Sequence, residues 1–508
     1  MVLLFAHQNS ARLHYIVDEV FVGRLGMEIQ ITNDIKFFLT NQHLLKIAYT
    51  PDSTAFSNTS ACLWIHDSGL LFEDFIRPFD FVPTAKRFDV QHFGNKGNAN
   101  NAFNRANLRE SFIWGLFTQR PQEAISQRTN PQGDTANETP EILDLRSAQI
   151  PFDLLSAIFW SITRYEEVQW GIAQSNESYI PPDAHGRFPA KNSLFAKLGC
   201  LETPVVDVWI HVLAEFLDIT PTSTFEVIPT ADIDMALRFG GRNPFTQMAA
   251  AARDLISMPS VFLDRLAVLL GKKDPYAIDA GSAQWLLTPN HSTESASTTL
   301  KSISPKLFLL ASSKRDDRNK QVSKPTLIKE LKRIQSKFQF NSQNIGIHPS
   351  WQEKSNALKT KTAWQEELQT LENILGETPK HSRFHFIHLH LPQSYQILHQ
   401  MGIETDWSMG YPDAAGFRAG TSVPFHWYNL TQERNTSLLV VPFCIMDVTC
   451  KNYLKLSPNQ SITLGNRLKQ TVESFGGLFC FVFHNESISG KTPWRGWKSV
   501  ISSWFEQP

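Results

Sequence analysis

The feature that most constrains the fold is a series of short apolar runs in residues 222–508 that end in titratable side chains. Such runs end at Asp232 with Asp234, at His348, at Asp447 and at His484. Helical stretches with apolar residues at a 3.6-residue period separate several of them. Apolar strands that alternate with helices indicate a parallel sheet covered by helices. Because catalytic groups of α/β barrels stand at the carboxyl ends of several strands, the series indicates a barrel with a functional site.

Two aspartates one residue apart, Asp232 and Asp234, close the run "STFEVIPTADID". Residues i and i+2 of an extended chain point to the same face, so both carboxylates are expected in one cavity. Two adjacent carboxylates ionise together at a high free-energy cost unless a cation lies beside them. A divalent metal held by one aspartate and one or two histidines meets this need and leaves the other aspartate as a base. His484, from another strand, is a candidate proton donor.

A second candidate group lies in "SRFHFIHLHL", residues 382–391, which is expected to be a further strand. The same alternation directs Arg383 and His385 into the cavity, and Phe384 and Phe386 away from it. The guanidinium of Arg383 is suited to orient the free carboxylate. The sequence therefore predicts that this segment supplies polar partners to the two aspartates.

The length of the chain implies more than one domain. At 508 residues it exceeds one ordinary core, and a new region begins near Thr222. Residues 1–220 are expected to form a smaller α/β domain of unknown function, and residues 221–508 the (β/α) barrel. In the first part, "VLLFA" indicates a strand, and "SARLHYIVDEVFVGRLG" an amphipathic helix with Ser10 as its N-cap. Residues 86–145 are rich in Asn, Gly, Gln and Pro and are expected to form long loops.

Composition excludes several classes of function. Lysine and arginine (48) nearly balance aspartate and glutamate (49), which argues against nucleic acid and anionic membrane surfaces as partners. No apolar run reaches the length of a membrane span. The first residues lack a basic flank and a small-residue cleavage site, so no signal peptide is predicted and a cytoplasmic location is expected. Five scattered cysteines without a CxxC pair argue against disulfides or a structural zinc site.

Several longer stretches resemble a known family. They are "RLHYIVDEVF", "IPFDLLSAIFWSITRYEE", "DAHGRFPA", "DRLAVLLGKKDPY", "GIHPS", "DWSMGYPDAAGFRAGT", "PFCIMDVT" and "FHNES". Together they resemble the polysaccharide deacetylase (NodB-like) family, and most of all its two-domain members from Bacteroidetes, which carry an uncharacterised N-terminal domain. The resemblance implies an irregular (β/α) barrel of about seven strands. It also implies metal-assisted hydrolysis of an N-acetyl or O-acetyl group on a sugar, with zinc as the expected divalent metal.

The resemblance implies roles for individual residues of this chain. In the first motif, Asp232 is implied as the base and Asp234 as a metal ligand. The second family motif places two metal-binding histidines four residues apart. His348 matches the first of them, but Gln352 occupies the second position, so this sequence departs from the family pattern.

The missing ligand leaves two interpretations open. His385 is the first candidate to replace it, whereas Gln352 and Ser355 are weaker because neutral oxygens suit zinc poorly. In the first interpretation the protein is a deacetylase, a hydrolase of non-peptide carbon–nitrogen bonds, that acts on a cytoplasmic or membrane-linked sugar precursor. In the alternative, the metal site is lost and the barrel only binds a glycan.

The remaining motifs add candidates. The resemblance implies Arg383 in the third motif, Asp406 and Trp407 in the fourth, and His484 as the acid of the last. Catalytic roles are expected for Arg383 and Asp406, and substrate binding for Trp407. Arg418, bracketed by glycines in "GFRAGTSVPFHWY", is a further substrate-binding candidate, against a structural ion pair as the alternative.

In the N-terminal part, "RYEE" and "DAHGRFP" are candidates to face the barrel. Their charged residues are Arg164, Glu167, His185 and Arg187. Ordinary surface ion pairs are the alternative explanation.

Overall fold

The apolar runs of the sequence assemble into two mainly parallel sheets and one small sheet in a computed structural model of the chain. The structure describes all residues except 42–44, 57–61, 78–82, 84, 92–112, 117–140, 145–148, 151, 174–180, 242–243, 278–305, 313–317, 320, 339–340, 353–356 and 507–508. Most of the predicted loop region 86–145 therefore lies outside the described residues, although three strands within or at the edge of it are described.

The described strands, in chain order, are β1 (Val2–Ala6), β2 (Ile29–Thr32), β3 (Leu45–Thr50), β4 (Cys62–His66), β5 (Ala85–Gln91), β6 (Ile113–Leu116), β7 (Glu141–Asp144), β8 (Gln149–Ile150), β9 (Phe225–Ile233), β10 (Lys306–Leu309), β11 (Ile345–Ile347), β12 (His381–Ser382), β13 (Thr405–Met409), β14 (Phe425–Asn429), β15 (Arg434–Pro442), β16 (Ile445–Met446) and β17 (Gly477–His484).

The described α-helices span Ala11–Val17, Ile35–Thr40, Leu154–Ile162, Tyr165–Ile172, Leu194–Lys197, Val205–Phe216, Pro244–Ser257, Pro259–Leu269, Lys324–Phe338, Ala357–Leu375, Gln393–Gln400, Pro458–Phe475 and Trp497–Phe505. Two π-helical segments lie at Asp18–Arg24 and Thr449–Tyr453, and short 3-10 turns at Thr54–Phe56, Leu70–Phe72, Ala190–Asn192 and His385–Ile387.

The first sheet is parallel throughout, with the strand order β2-β1-β3-β4-β8. All five residues of β1 are buried, as expected for a continuous apolar strand covered on both faces. The first helix begins as predicted, because the Ser10 hydroxyl accepts a hydrogen bond from the Leu13 amide at 3.0 Å. It continues beyond Val17 as a π-helical segment, which the periodicity did not indicate. A separate small sheet has the order β6-β5-β7.

The second sheet carries the strands with titratable ends. Its order is β14-β15-β13-β12-β11-β10-β9-β17-β16, and every neighbouring pair is parallel except β14 with β15. The segment between β15 and β16 reaches both ends of the sheet: the Phe443 amide bonds to the Met409 carbonyl at 3.2 Å, and the Cys444 amide to the Cys480 carbonyl at 3.0 Å. The sheet is thus strongly curled, and the α/β class is as predicted. The closed seven-stranded barrel and the division at residues 220/221 stay predictions.

Two expected elements differ in the structure. The predicted strand 382–391 ends at Ser382, because the chain turns at His385–Ile387 and the amides of residues 387–389 bond to carbonyls two or three residues before them. The helical region 244–272 is two helices, since Pro259 begins the second one, where its missing N–H costs nothing. The helix Ala357–Leu375 does end as predicted, with Gly376 in the left-handed region at φ 84°.

Buried ion pairs join the N-terminal part to the curled sheet. Arg12 Nη2 lies 2.6 Å from Glu433 Oε1. Arg418 donates two hydrogen bonds to Glu167, from Nε to Oε1 at 2.9 Å and from Nη2 to Oε2 at 2.5 Å. Removing one partner of such a pair leaves an uncompensated buried charge, at a cost of about 3–5 kcal/mol. These pairs therefore hold the two parts in a defined relation.

Two predictions from composition can be checked. All five cysteines are buried free thiols, so the expected absence of disulfides is confirmed. Among the helices in the described ranges, none combines the length and apolar character needed to cross a bilayer.

Candidate metal centre

The acid pair lies where β9 reaches the carboxyl edge of the curled sheet. Asp232 is the last residue but one of the strand, and Asp234 follows its end. Both line a cavity of about 370 Å³, as the alternation along an extended chain predicts. Their environments differ, because the Asp232 side chain is 3% exposed and that of Asp234 is 34% exposed.

Three residues bring possible metal ligands together beside this cavity, which Asp234 and His385 line. Ligand atoms of Asp234, His348 and His385 all lie within 4.8 Å of one another. The Nε2 atom of His348 is 3.2 Å from Asp234 Oδ1, and the Nε2 atom of His385 is 3.5 Å from Asp234 Oδ2. His348 directly follows β11, whereas His385 lies in the turn after β12. The sequence predicted this ligand set, with His385 in place of the missing second histidine.

Unsatisfied atoms test whether these residues fit a cation. The Nδ1 atom of His348 lies 2.6 Å from the Arg383 carbonyl. A carbonyl only accepts, so Nδ1 carries a proton, and in the neutral imidazole Nε2 presents a lone pair. The buried His348 Nε2 and Asp234 Oδ1 have no hydrogen-bond partner among the described residues. In that form their 3.2 Å approach joins two acceptors, which fits a bound divalent cation, and the backbone bond at Nδ1 is the usual support of a metal-binding histidine.

Electrostatics place these groups in their metal-binding protonation states. Burial opposes the ionisation of Asp234, but His385, His348 and His484 outweigh it and hold the pKa of Asp234 well below its ordinary value. Burial lowers the pKa of His385 even though Asp234 lies beside it. The pair thus favours a carboxylate and a neutral imidazole, which are the forms that bind metal.

Arg383 binds Asp232, the other aspartate of the pair. Its Nη1 donates to Asp232 Oδ1 at 3.0 Å, and its Nε donates to the Trp407 carbonyl at 2.9 Å. The guanidinium is fully buried and packs 4.5 Å from the centre of the Phe308 ring. Asp232 is therefore oriented by a fixed cation and directs Oδ2 toward His348, whose Nε2 is 4.0 Å away.

His484, at the end of β17, forms the opposite side of the centre. Its Nδ1 bonds to Asp447 Oδ1 at 2.8 Å, and its backbone amide donates to Asp447 Oδ2 at 2.8 Å. Burial lowers the pKa of His484, but Asp447, with help from Asp234 and Asp232, raises it to about 10. The imidazole is therefore protonated at neutral pH. The sequence marked Asp447 only as the end of an apolar run and assigned it no role.

The structure does not bring Asp406 and Trp407 into the cavity. The carboxylate of Asp406 is fully buried and accepts hydrogen bonds from Tyr395, Ser382 and Ser408 at 2.8–3.0 Å. Trp407 is also buried: its carbonyl accepts from Arg383 Nε, and its indole N–H donates to the Thr405 hydroxyl at 2.9 Å. Neither is among the described residues that line the cavity. Their contacts support the strand that carries them and, through Trp407, the guanidinium of Arg383.

Arg418 is likewise engaged elsewhere. Its Nε and Nη2 bond to Glu167, its Nη1 donates to the Gly410 carbonyl at 3.0 Å, and the residue is 2% exposed. This is the structural ion pair that the sequence left open as an alternative to substrate binding. Gln352 donates to the Ser350 hydroxyl at 2.7 Å, while Ser355 lies outside the described residues.

Residues of the N-terminal part complete the cavity. His185 and Arg187 line the cavity itself, Arg164 bonds to Tyr411 at 2.9 Å, and Glu167 binds Arg418, so each of the four candidates contacts the curled-sheet part or lines the cavity. The full lining is His185, Arg187, Asp232, Asp234, Met235, His385, Phe386, Ile387, Pro412, Met446, Val448, Asn452, Tyr453, His484, Asn485, Glu486 and Trp494. Phe386 was expected to face away, but the turn that ends its strand directs it inward.

Comparison with known proteins adds one family and a few solved structures. A family described as "Family of unknown function (DUF7033)" matches residues 2–220. No curated protein matches the chain.

Three structural neighbours each cover 56% of this chain. The first is a putative polysaccharide deacetylase from Mycobacterium smegmatis, with 12% identity over 82% of that chain and a TM-score of 0.34. The second is Puue allantoinase, with 11% identity, 83% coverage and a TM-score of 0.32. The third is a probable polysaccharide deacetylase from Pseudomonas aeruginosa PAO1, with 11% identity, 84% coverage and a TM-score of 0.32. Likeness at this level carries no argument about the site, so function rests on the residues described above.

Proposed function

We propose that the protein is a metal-dependent hydrolase that removes an N- or O-linked acetyl group from a sugar or glycan precursor. One observation carries the metal-dependent part: the buried acceptors His348 Nε2 and Asp234 Oδ1 face each other at 3.2 Å with no hydrogen-bond partner among the described residues. The same cavity holds Asp232 and His484, a candidate base and a candidate acid. A cation site flanked by a base and an acid suits metal-assisted hydrolysis of an acyl bond.

The ligand set suits a catalytic metal. Asp234, His348 and His385 would hold it, and three protein ligands leave a position open toward the cavity. A divalent cation, with zinc the first choice for these nitrogen and oxygen donors, would act as a Lewis acid toward the acyl carbonyl and a water molecule.

The protein groups supply the proton transfers. Asp232, held by Arg383, accepts a proton from the attacking water while the oxygen of that water bonds to the acyl carbon. His484 donates a proton to the sugar nitrogen or oxygen as the acyl bond breaks. Asp447 keeps Nδ1 of His484 occupied, so the transferable proton is on Nε2, which lies 3.9 Å from Asp234 Oδ2 and so faces the site.

The shape of the cavity supports a sugar-sized substrate. About 370 Å³ lies within the range of small-molecule sites, and Phe386, Met446 and Trp494 give it apolar surface. Apolar and aromatic walls suit the faces of a pyranose ring, while the polar groups at the metal centre suit the acetamido or acetyl substituent. The resemblance in the sequence motifs supports the acetylated sugar as the substrate class.

The test measures metal content and acetate release together. The unaltered protein is expected to bind one divalent ion per chain and to release acetate from members of a panel of N- and O-acetylated sugars. His348→Ala is expected to lose both, and Asp232→Asn to retain the metal but lose acetate release. Asp264→Asn is the matched control, because this carboxylate pairs with Lys491 outside the cavity lining.

Two results would count against the proposal. Acetate release that survives both site changes would exclude the proposed mechanism. Binding of acetylated glycans that needs no metal and yields no acetate would favour the non-catalytic glycan-binding protein instead.

A further inference from the structure

The third ligand lies on a strained turn instead of a strand. Within the turn His385–Ile387, Phe386 has φ 59° and Ile387 has φ 52°. Left-handed backbone is strained for a residue other than glycine, and β-branched isoleucine tolerates it poorly. Two such residues in succession persist only where surrounding contacts hold them. The position of the His385 imidazole therefore depends on those contacts.

The contacts within the curled-sheet part hold the two ends of this turn. The His385 amide donates to the Pro349 carbonyl at 3.2 Å, and the Ile387 amide donates to the Phe384 carbonyl at 2.8 Å. The carbonyl of Phe386, at the first strained position, instead accepts a 2.6 Å hydrogen bond from Nη1 of Arg187. Arg187 belongs to the N-terminal part, 199 residues away in the chain.

Arg187 is itself held rigidly. Its Nε donates to Asp183 Oδ2 at 2.7 Å, its Nη2 donates to the Tyr453 hydroxyl at 2.9 Å, and its side chain is 3% exposed. The other Asp183 oxygen accepts the backbone amides of His185 and Arg187, both at 2.9 Å. The His185 ring stacks on Phe386, with centroids 5.1 Å apart and an interplanar angle of 20°. Phe386 is thus held at its carbonyl and at its ring by one five-residue turn.

We propose that residues 183–187 of the N-terminal part position the metal centre of the curled sheet. Arg187 fixes the Phe386 carbonyl and so places His385 beside Asp234, while His185 supports the Phe386 ring and forms part of the cavity wall. The inference rests on the proposed metal-dependent hydrolase. In this proposal the N-terminal part, which a family of unknown function matches, has a role in the site. The supported turn also supplies His385 as the third ligand, so the centre does not need a histidine at Gln352.

The test compares metal affinity in full-length variants, by chelator competition with zinc and by the visible absorption spectrum of the cobalt-loaded protein. Arg187→Gln is expected to weaken zinc binding about tenfold, the lower end of the loss for an outer support of a ligand. The cobalt spectrum should change as His385 shifts. A residue with only a structural role would lower the unfolding temperature without changing either signal.

The matched control is Arg12→Gln. Arg12 is also a buried guanidinium of the N-terminal part that reaches across to the curled sheet, where it binds Glu433 away from the cavity. It is expected to lower stability and leave zinc affinity and the cobalt spectrum unchanged.

The outcomes separate this inference from the function on which it rests. If the unaltered protein binds no divalent ion, both are overturned. If it binds one that His348→Ala abolishes, but Arg187→Gln binds zinc as tightly with the same cobalt spectrum, only this inference is overturned. If Arg187→Gln fails to fold, His185→Ala is the deciding variant. A loss of a few-fold in its zinc affinity supports the inference, and unchanged zinc affinity overturns it.

Discussion

The carboxyl edges of the two parallel sheets carry similar residues with opposite consequences. After β8 of the first sheet comes Asp153, and after β9 of the curled sheet comes Asp234. Asp153 is fully buried, and its two oxygens accept hydrogen bonds from Tyr49, from Ser156 and from both the amide and hydroxyl of Ser68. Asp234 Oδ1 has no such partner among the described residues.

This difference teaches which strand-end acids indicate a site. A carboxylate whose acceptors are all satisfied caps a helix and joins loops, as Asp153 does at the helix Leu154–Ile162. A carboxylate that faces another acceptor in a cavity is suited to share a cation with it. A titratable residue at a strand end therefore indicates a site only when its hydrogen-bond partners are also known.

The largest expected effect comes from the acid on the curled sheet. His484→Gln should reduce acetate release from an N-acetyl sugar about 1,000-fold, because the amine leaving group requires a proton. Release from an aryl acetate, whose leaving group needs no proton, should change little. Steady-state kinetics with the two substrates measure this. Equal losses on both substrates would show that His484 is not a general acid.

One substitution at the strand ends of each sheet should separate the roles of Asp234 and Asp153. His348→Ala should weaken zinc affinity at least about 100-fold, since it removes a ligand outright. Asp153→Asn should leave zinc affinity unchanged and lower the free energy of unfolding by about 1–3 kcal/mol, because buried donors lose a charged acceptor. Chelator competition and urea denaturation check both. A loss of zinc binding in Asp153→Asn would break the comparison.

A smaller effect concerns the pH dependence of the site. Asp447 raises the pKa of His484 to about 10, so the acid is lost only as pH rises through that value. Asp447→Asn removes this support, lowers the pKa of His484 and moves the alkaline limb of the activity profile to lower pH. Activity at pH 9 should fall about tenfold relative to pH 7. An alkaline limb that stays in place would show that another group sets it.

The smallest effect concerns the first sheet alone. Burial, with Asp153 nearby, raises the pKa of Asp67 to about 7. The folded state thus binds a proton that the unfolded state has released, and stability is lost as pH rises from about 4 through 7. Asp67→Asn should reduce that loss between pH 5.5 and 8 by on the order of 1 kcal/mol. Urea denaturation at both pH values measures the free energy of unfolding, with Asp74→Asn, at an exposed position, as the control. An equal change in that free energy between the two pH values for wild type and Asp67→Asn would contradict the prediction.

Local sequence signals predicted much of the curled sheet and part of the site. The strand run before Asp232, the alternation that sends Asp232 and Asp234 into one cavity, and the strand that ends at His484 all follow from apolar patterning within a few residues. The sequence also indicated His385 as the candidate to replace the missing ligand. It did so on the wrong local structure, since His385 lies on a turn and not in a strand.

Other residues were misplaced because their partners are distant in the chain. The Arg418 guanidinium binds Glu167, 251 residues away, and Asp406 is enclosed by Ser382 and Tyr395. Asp447 gained its role only when β16 paired with β17 beside His484. No periodicity encodes such pairings, because they depend on which strands become neighbours.

The sequence by itself determined the α/β class, the strand ends that carry the titratable groups, and the acid pair with its histidines. These follow from short-range rules of side-chain alternation and apolar periodicity. Only the tertiary structure decided which acceptors of the described residues remain unsatisfied, that Asp447 binds His484 while Arg383 binds Asp232, and that Arg187 of the N-terminal part binds the His385 turn. Hydrogen bonding and burial of these groups arise from residues far apart in the chain, so only the folded arrangement specifies them.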